Sequence, residues 1–211
     1  MSERIVLAAA ILAMAAVVVL SNVLVQHPVD ATLGSLQLAD LLTWGAFTYP
    51  VAFLVTDLAN RRLGASRARL VVIAGFVAAV VLSVWLATPR IAIASGSAFL
   101  VAQLLDVAIF DRLRRAVWWK APVVSSLLAS LVDTAIFFSL AFAASVTPIL
   151  GFGDDFATGT AIFAGLEATR WVAWAFGDLA VKLLVALALL MPYRALLTFL
   201  PLKDAAPAPA R

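Results

Sequence analysis

The sequence predicts an all-α, polytopic membrane protein: six transmembrane helices in one bundle, with both termini in the cytoplasm. Composition is the first reason for this prediction. Of the 211 residues, 64% are hydrophobic and 13% are charged, and the mean hydropathy is +1.07. Soluble domains have roughly 45–50% apolar and about 25% charged residues. A soluble fold cannot bury this much apolar surface, so the lipid bilayer is the expected solvent.

Six apolar segments are the second reason, because each reaches the ~20 residues that a helix needs to cross a bilayer. They are residues 5–25, 41–59, 68–88, 91–110, 122–143 and 171–193. Each is expected to be helical, since lipid offers no hydrogen-bond partner to the backbone. Pro50 and Pro192 are expected to kink or end the second and sixth helices, and Pro122 to stand at the start of the fifth. We predict one transmembrane domain over 1–200 and a disordered cytoplasmic tail over 201–211.

The basic residues are distributed unevenly along the chain, which is the third reason. Twelve of the 15 Lys and Arg fall in the N-terminus, the second and fourth loops and the C-terminal end, whereas Arg90 and Arg170 alone fall in the other loops. An excess of positive charge marks cytoplasmic loops, and six spans also place both termini on one side. Because the basic residues lie in short loops between apolar spans, the net charge of +3 does not indicate nucleic-acid binding.

Several functional classes are excluded by residues that the sequence lacks. It has no cysteine and a single histidine, His27, so disulfides, thiolate chemistry and a His-rich metal site are not expected. No nucleotide-binding loop occurs, so the chain itself is not expected to hydrolyse ATP. We expect no cofactor and no metal. The glycine-rich stretch from 145 to 170 is expected to be an interfacial or re-entrant segment, or a plain extracytoplasmic loop.

Ionisable residues inside the apolar segments are the main functional signal, because a charge at mid-bilayer costs about 2.5–3.5 kcal/mol. They are Asp57, Asp106, Asp133, Asp178 and Lys182. Helical spacing aligns each with other polar or aromatic residues on one face of its helix. We predict that these faces surround one cavity, joined by Asn22, Trp44, Phe47 and Gln103.

Structural explanations for these residues stay open beside the functional one. Asp178 and Lys182, one turn apart, can neutralise each other. Asp57 and Asp106 can cap helices or pair with arginines of the loops. Amide side chains such as Gln103 can join helices through hydrogen bonds, and Asn22 can do the same. Asp133 has no partner on its own helix, which makes it the strongest candidate for a functional acid.

Specific strings occur along nearly the whole chain in a characteristic order. They are Ser-Asn-Val-Leu-Val-Gln (21–26), Thr-Trp-Gly-Ala-Phe-Thr-Tyr-Pro (43–50), Thr-Asp-Leu (56–58), Arg-Leu-Gly-Ala-Ser-Arg-Ala-Arg (62–69), Gln-Leu-Leu-Asp-Val-Ala-Ile-Phe-Asp-Arg-Leu-Arg (103–114), Trp-Trp-Lys-Ala-Pro (118–122) and Asp-Thr-Ala-Ile-Phe-Phe (133–138). The last helix adds Asp178, Lys182 and then Met-Pro-Tyr-Arg. In this order and spacing the chain resembles the queuosine precursor transporter family, six-helix inner-membrane proteins of bacteria.

The resemblance implies import of a 7-deazaguanine base, such as the cyano or aminomethyl precursor, for salvage into the queuosine of tRNA. A guanine-type edge presents two parallel donors, N1–H and the exocyclic amine, which one carboxylate can accept together. Asp133 or Asp106 is the predicted acceptor. Gln103 or Asn22 is predicted to form hydrogen bonds with O6 and the ring nitrogens of the base.

The remaining residues complete this hypothesis. Trp44 or Phe47 offers a ring for stacking against the base. Asp178 with Lys182 is predicted to contact substrate, or to serve as a gate or proton-responsive pair, and Asp57 to be a gate or structural polar residue. The expected partners are a nucleobase-like small molecule and the lipid bilayer, without direct nucleic-acid contact. A homo-oligomer stays open.

Two rival functions stay open as well. One is uptake of another small vitamin-like solute, with the basic loops docking an ATP-hydrolysing partner. The other is an intramembrane enzyme in which Asp106 and Asp133 share a proton. We do not expect an enzyme, because the sequence has no accompanying protease motif.

Overall fold

The computed structural model describes residues 2–34, 36–163 and 166–199, and most of them are α-helical. The long helices are α1 (Glu3–Leu24), α3 (Val51–Leu63), α4 (Ala65–Leu86), α5 (Pro89–Leu113), α6 (Lys120–Phe142), α9 (Arg170–Ala188) and α10 (Leu190–Phe199). Three single-turn helices lie between them: α2 (Gly45–Thr48), α7 (Thr147–Leu150) and α8 (Asp155–Thr158). The all-α prediction is confirmed. The predicted tail, 201–211, lies outside the described residues.

Short hairpins and 3-10 turns occupy the two longest connections. Strands β1 (Thr32–Leu33) and β2 (Leu36–Gln37) pair antiparallel before a 3-10 turn at Leu38–Asp40. Strands β3 (Thr160–Phe163) and β4 (Leu166–Thr169) pair antiparallel just before α9. The stretch from 145 to 170 therefore combines α7, α8 and this second hairpin, with a 3-10 turn at Ala144–Val146.

The helices pack as one bundle with an apolar centre. Helix α1 contacts α3 and α4, α5 contacts α3, α4 and α6, and α6 contacts α9. Small residues allow close approach: a Cβ added at Gly75 of α4 would lie 2.5 Å from the Met14 side chain of α1. Without a hydrophobic driving force in lipid, such close packing is a main source of helix association.

The outer surface of the bundle is apolar. Leu12 of α1, Val84 and Trp85 of α4, and Met191 of α10 are among the large hydrophobic side chains exposed there. Five helical segments are long and apolar enough to cross a membrane: α1, α4, α5, α6 and the stretch Arg170–Phe199 formed by α9 and α10. Exposed apolar surface on this scale fits lipid contact.

The second predicted helix, 41–59, is not continuous, and this is a correction. The chain makes α2 at Gly45–Thr48, turns at Tyr49 and Pro50, and continues as α3 from Val51. Pro50 has no backbone N–H and stands where a new helix can begin. Gly45 is needed at the start of α2, because an added Cβ would lie 2.9 Å from the Val25 backbone at the end of α1.

The sixth predicted helix, 171–193, is interrupted at Leu189, where α9 ends and α10 begins. Pro192 is the third residue of α10, a position whose N–H needs no partner within the helix. The predicted kink is therefore confirmed and lies three residues before the proline. Pro122 is the third residue of α6, close to the predicted start.

Arg90 is a buried anchor rather than a loop charge. It lies in the first turn of α5 and is 1% exposed. Its guanidinium donates to the carbonyls of Leu140 (2.8 Å) and Ala143 (2.7 Å) at the end of α6, and to the Thr147 hydroxyl (2.9 Å). Weaker bonds reach the carbonyls of Gly151 and Phe152. Arg90 thereby ties the end of α6 and the following turn to α5.

We predict that Arg90→Ala lowers the free energy of unfolding by at least about 3 kcal/mol, because each hydrogen bond to a charged group contributes about 1.5–3 kcal/mol. Thermal unfolding of the detergent-solubilised protein measures the effect. Arg112→Ala, at an exposed position of the same helix, is the matched control. Equal melting temperatures for the two variants would contradict the anchoring role of Arg90.

Candidate functional site

A cavity of about 940 Å³ lies within the bundle. It is bordered by α1, α2, α4, α5, α6, α8 and α9, by the connection before α2 and by the turn between α2 and α3. Its polar and charged lining includes Ser21, Asn22, Gln26, Thr43, Tyr49, Ser83, Ser95, Asp133, Arg170, Asp178 and Lys182. Small-molecule sites are typically about 300–1,000 Å³, with a few polar groups in an apolar wall. The cavity fits this description.

One ammonium and two carboxylates form a charged cluster in this lining. Lys182 Nζ of α9 lies 2.7 Å from Asp133 Oδ2 of α6 and 2.5 Å from Asp178 Oδ2, one turn before it. Asp133 is 3% exposed and Lys182 is 4% exposed. With all three groups ionised, the cluster carries one net negative charge. Because Asp133 and Lys182 are almost fully buried, their charges are screened less than they would be in bulk water.

Neutral side chains hold the charged cluster in place. The Tyr49 hydroxyl donates to Asp133 Oδ1 (3.1 Å), and the Thr134 hydroxyl donates to Asp178 Oδ2 (2.9 Å). Tyr49 is itself held edge-on between the rings of Phe53 and Phe99. The break before α3 places Tyr49 at this point, so the helix interruption positions a hydrogen-bond donor to Asp133.

Aromatic side chains form one wall of the cavity. Phe137, Phe138 and Phe142 of α6 contact one another, and Phe142 contacts Trp174 of α9 at 5.5 Å between ring centroids. Phe156 of α8 continues the row against Trp174, and Arg170 covers its ring at 3.8 Å. All six residues border the cavity. A flat heterocycle can stack on such rings.

A second group of buried polar residues lies outside the cavity lining. Asp57 of α3 and Asp106 of α5 are 2% and 0% exposed, and their carboxyl groups lie within hydrogen-bonding reach of each other. The Ser125 hydroxyl of α6 donates to Asp57 at 3.5 Å. One residue before Asp57 on α3, the Thr56 hydroxyl donates to Gln103 of α5 at 2.6 Å.

The structure thus brings together four of the predicted site residues: Asn22, Asp133, Asp178 and Lys182 all line the cavity. The described lining does not include the other five, which are Trp44, Phe47, Gln103, Asp106 and Asp57. The rings of Trp44 and Phe47 contact each other at 5.6 Å, and Trp44 is 48% exposed. The predicted Asp178–Lys182 neutralisation is present, but Asp133 shares the same lysine.

Sequence reasoning missed Tyr49, Thr134 and most of the aromatic wall. A tyrosine beside a proline inside an apolar segment is a usable signal for Tyr49, because a buried phenol needs a hydrogen-bond partner. Thr134 and the phenylalanines of α6 have no comparable signal, since such residues are common on any transmembrane helix.

We predict that Lys182→Met destabilises the protein by roughly 3–5 kcal/mol, because it leaves two buried carboxylates without their cation. Thermal unfolding in detergent measures the loss. The triple variant Asp133→Asn, Asp178→Asn, Lys182→Met should recover much of the stability, because no buried charge is then unpaired. Lys120→Met, at an exposed position, is the matched control. A triple variant as unstable as Lys182→Met would contradict the electrostatic account.

Comparisons with known proteins agree with these features. A family described as "Putative vitamin uptake transporter" matches residues 43–88 and 81–196. The "Queuosine precursor transporter" of Escherichia coli (strain K12) is 33% identical over 206 residues, which cover 87% of this chain and 83% of that protein. The "Probable queuosine precursor transporter" of Haemophilus influenzae is 33% identical over 203 residues, covering 83% and 79%. No solved structure matches the chain.

Both relatives are named as transporters, which agrees with the expectation that the chain is not an enzyme. The structure adds that Asp106 and Asp133, the acids of the rival enzyme hypothesis, have separate partners, Asp57 and Lys182. The apolar helices and the transporter relatives together make this a multi-pass membrane protein. By its residues and its relatives, the chain belongs to the queuosine precursor transporter family.

Proposed function

We propose that the protein imports queuosine precursors, 7-deazaguanine bases such as the cyano or aminomethyl form, across the bacterial inner membrane. The observation that carries the proposal is an almost fully buried carboxylate, Asp133, in the lining of a cavity of about 940 Å³. Relatives named for queuosine precursors support the choice of solute.

Asp133 is the proposed acceptor for the guanine-type edge of the base. Each carboxylate oxygen has two lone pairs, and each already accepts one hydrogen bond, from Tyr49 or Lys182. One acceptor position therefore stays free on each oxygen, which matches the two parallel donors of the base. The net negative charge of the cluster also favours a solute that presents donors or an ammonium group.

Other lining residues complete the proposed contacts. Asn22 offers an amide for O6 or a ring nitrogen, and the rings of Trp174 and the α6 phenylalanines offer stacking surfaces. Asp178 and Lys182 position Asp133 and border the solute. Gln103 and Asp106, outside the lining, would reach the solute only in another conformation of the bundle.

We predict that Asp133→Asn reduces uptake at least tenfold, because an amide N–H replaces one of the acceptors that face the donor edge. The measurement is the queuosine content of tRNA in a salvage-dependent host fed with precursor, at matched expression of each variant. Asp154→Asn, an acid outside the lining, is the control and should behave like the wild type. Full incorporation with Asp133→Asn would overturn the carboxylate acceptor.

We also propose six spans with cytoplasmic termini, in which α2 and α3 together form the second crossing. Residues 45–63 would extend about 28 Å at ~1.5 Å per residue, close to the hydrocarbon thickness of ~30 Å. The break at Tyr49 and Pro50 is acceptable at membrane depth, because its backbone lies within the bundle rather than in lipid.

The absence of native cysteines gives this topology a clean test. We predict that Arg112→Cys reacts with a membrane-impermeant maleimide only from the cytoplasmic side, and Ile149→Cys only from the opposite side. Both side chains are exposed in the structure. Labelling of intact cells and of inverted vesicles measures the two faces. Reaction of both cysteines from the same face would contradict six spans.

A further inference from the structure

The carboxyl pair of Asp57 and Asp106 has few hydrogen-bond donors: among the described residues, Ser125 donates to Asp57 and none donates to Asp106. Neither oxygen of Asp106 has a partner that can donate among the described residues, although the side chain is fully buried. The Ser125 hydroxyl lies near both acids, but it has a single proton and donates it to Asp57 at 3.5 Å. Two ionised carboxylates in contact repel each other, whereas one shared proton supplies the missing donor and removes the repulsion.

The nearest cation does not neutralise the pair. Arg61, one turn after Asp57 on α3, attracts its carboxylate electrostatically. Its guanidinium, however, donates to the Tyr193 hydroxyl of α10 (3.0 Å) and to the carbonyls of Arg114 and Trp118. No ion pair joins Arg61 to either acid among the described residues. The charged and titratable groups facing the pair are therefore Arg61 and Tyr193, with Ser125 as the contact from α6.

A small hollow adjoins Asp57. It measures about 10 Å³ and is bordered by Pro50, Leu54, Pro122, Leu189 and Tyr193. About 10–15 Å³ is the least that can hold one water molecule. The hollow lies beside the interruption between α9 and α10, where a small movement would widen it and bring water to the pair.

The pair is mechanically connected to the charged cluster of the cavity. Helix α6 contacts the turn before α3 at Asp133–Tyr49 in the cavity, and contacts α3 itself at Ser125–Asp57 beside the pair. On α6 the two contacts are eight residues apart, about 12 Å at ~1.5 Å per residue. A tilt of α3 against α6 on solute binding therefore changes the surroundings of Asp57.

We propose that Asp57 and Asp106 form a proton-binding site, and that one proton held between them is carried inward with each solute. The pair holds its proton while water is excluded from it. When the bundle opens at the junction of α9 and α10, water reaches the two carboxyl groups, stabilises their ionised forms, and the proton is released. This inference rests on the proposed transport function and adds its coupling ion. Transfer of this proton is the only chemical change in the proposed cycle, and no other covalent bond forms or breaks.

The test uses the full-length protein in vesicles, with radiolabelled aminomethyl precursor as the probe. A tenfold inward proton gradient, worth about 1.4 kcal/mol, should drive up to about tenfold accumulation in the wild type. In Asp57→Asn and Asp106→Asn the ratio of uptake with the gradient to uptake without it should fall towards one. An amide can donate to the remaining carboxylate, so both variants should fold. Asp111→Asn, a partly exposed acid on α5, is the matched control and should keep the wild-type ratio.

Infrared spectra recorded against pH give a second readout that does not depend on transport. The C=O band of a protonated carboxylic acid should persist in the wild type at neutral pH and be lost in Asp106→Asn. Gradient-driven accumulation by either pair variant at the wild-type ratio would overturn the proposal, as would accumulation driven by sodium without a pH gradient. Solute exchange by the wild type without any gradient effect would leave transport standing and remove the proton site. If the wild type shows the infrared band but moves no solute, the proton site stands and the proposed transport function fails.

Discussion

The contact of Lys182 with both Asp133 and Asp178 is the interaction on which the site depends. A single buried acid in the bundle would carry a large desolvation cost, and a single buried lysine would carry the same. Lys182 Nζ lies 2.7 Å from Asp133 and 2.5 Å from Asp178, and the Tyr49 and Thr134 hydroxyls donate to these two carboxylates, which reduces that cost. With all three groups ionised, the cluster carries one net negative charge. The cluster thus holds the almost fully buried Asp133 carboxylate in the cavity lining, where we propose that it contacts the solute.

The irregular parts of the fold serve this cluster. The break between α2 and α3 places Tyr49 beside Asp133, and the close approach of Gly45 to Val25 packs the start of α2 against the end of α1. Arg90 binds the C-terminal end of α6, so that the helix carrying Asp133 is held there. The interruption at Leu189 lies beside the hollow at Asp57. Each interruption of helical order therefore borders one of the two buried acidic sites, a common arrangement in transporters.

Much of the fold was predictable because lipid permits few backbone structures. Five of the six predicted helices are present with ends within about three residues of the prediction, apart from the extension of the last one through α10. The second was wrong as a continuous helix: hydropathy averages over 41–59, whereas Gly45, Tyr49 and Pro50 decide the backbone locally. The cost of buried charge pointed to Asp57, Asp106, Asp133, Asp178 and Lys182. It could not say which acids share a partner, because that depends on the rotation of each helix about its own axis.

The two acidic sites illustrate this limit. Asp106 and Asp133 are equivalent by sequence, each an acid within an apolar helix. In the structure Asp133 forms an ion pair with Lys182 and borders the cavity. Asp106 instead lies beside Asp57 and is not part of the cavity lining. Trp44 and Phe47 likewise had the right chemistry for stacking, but Gly45 and Ala46 are the residues of this segment that line the cavity. The wall is made instead by α6 and α9.

The central claim is that the charged cluster of Asp133, Asp178 and Lys182 binds the transported base. Equilibrium binding of a 7-deazaguanine precursor to the purified protein, followed by calorimetry, tests it most directly. The account predicts saturable one-site binding in the wild type, at least tenfold weaker binding in Tyr49→Phe through loss of the hydroxyl that orients Asp133, and no detectable binding in Asp133→Asn. Wild-type affinity in Asp133→Asn would contradict it.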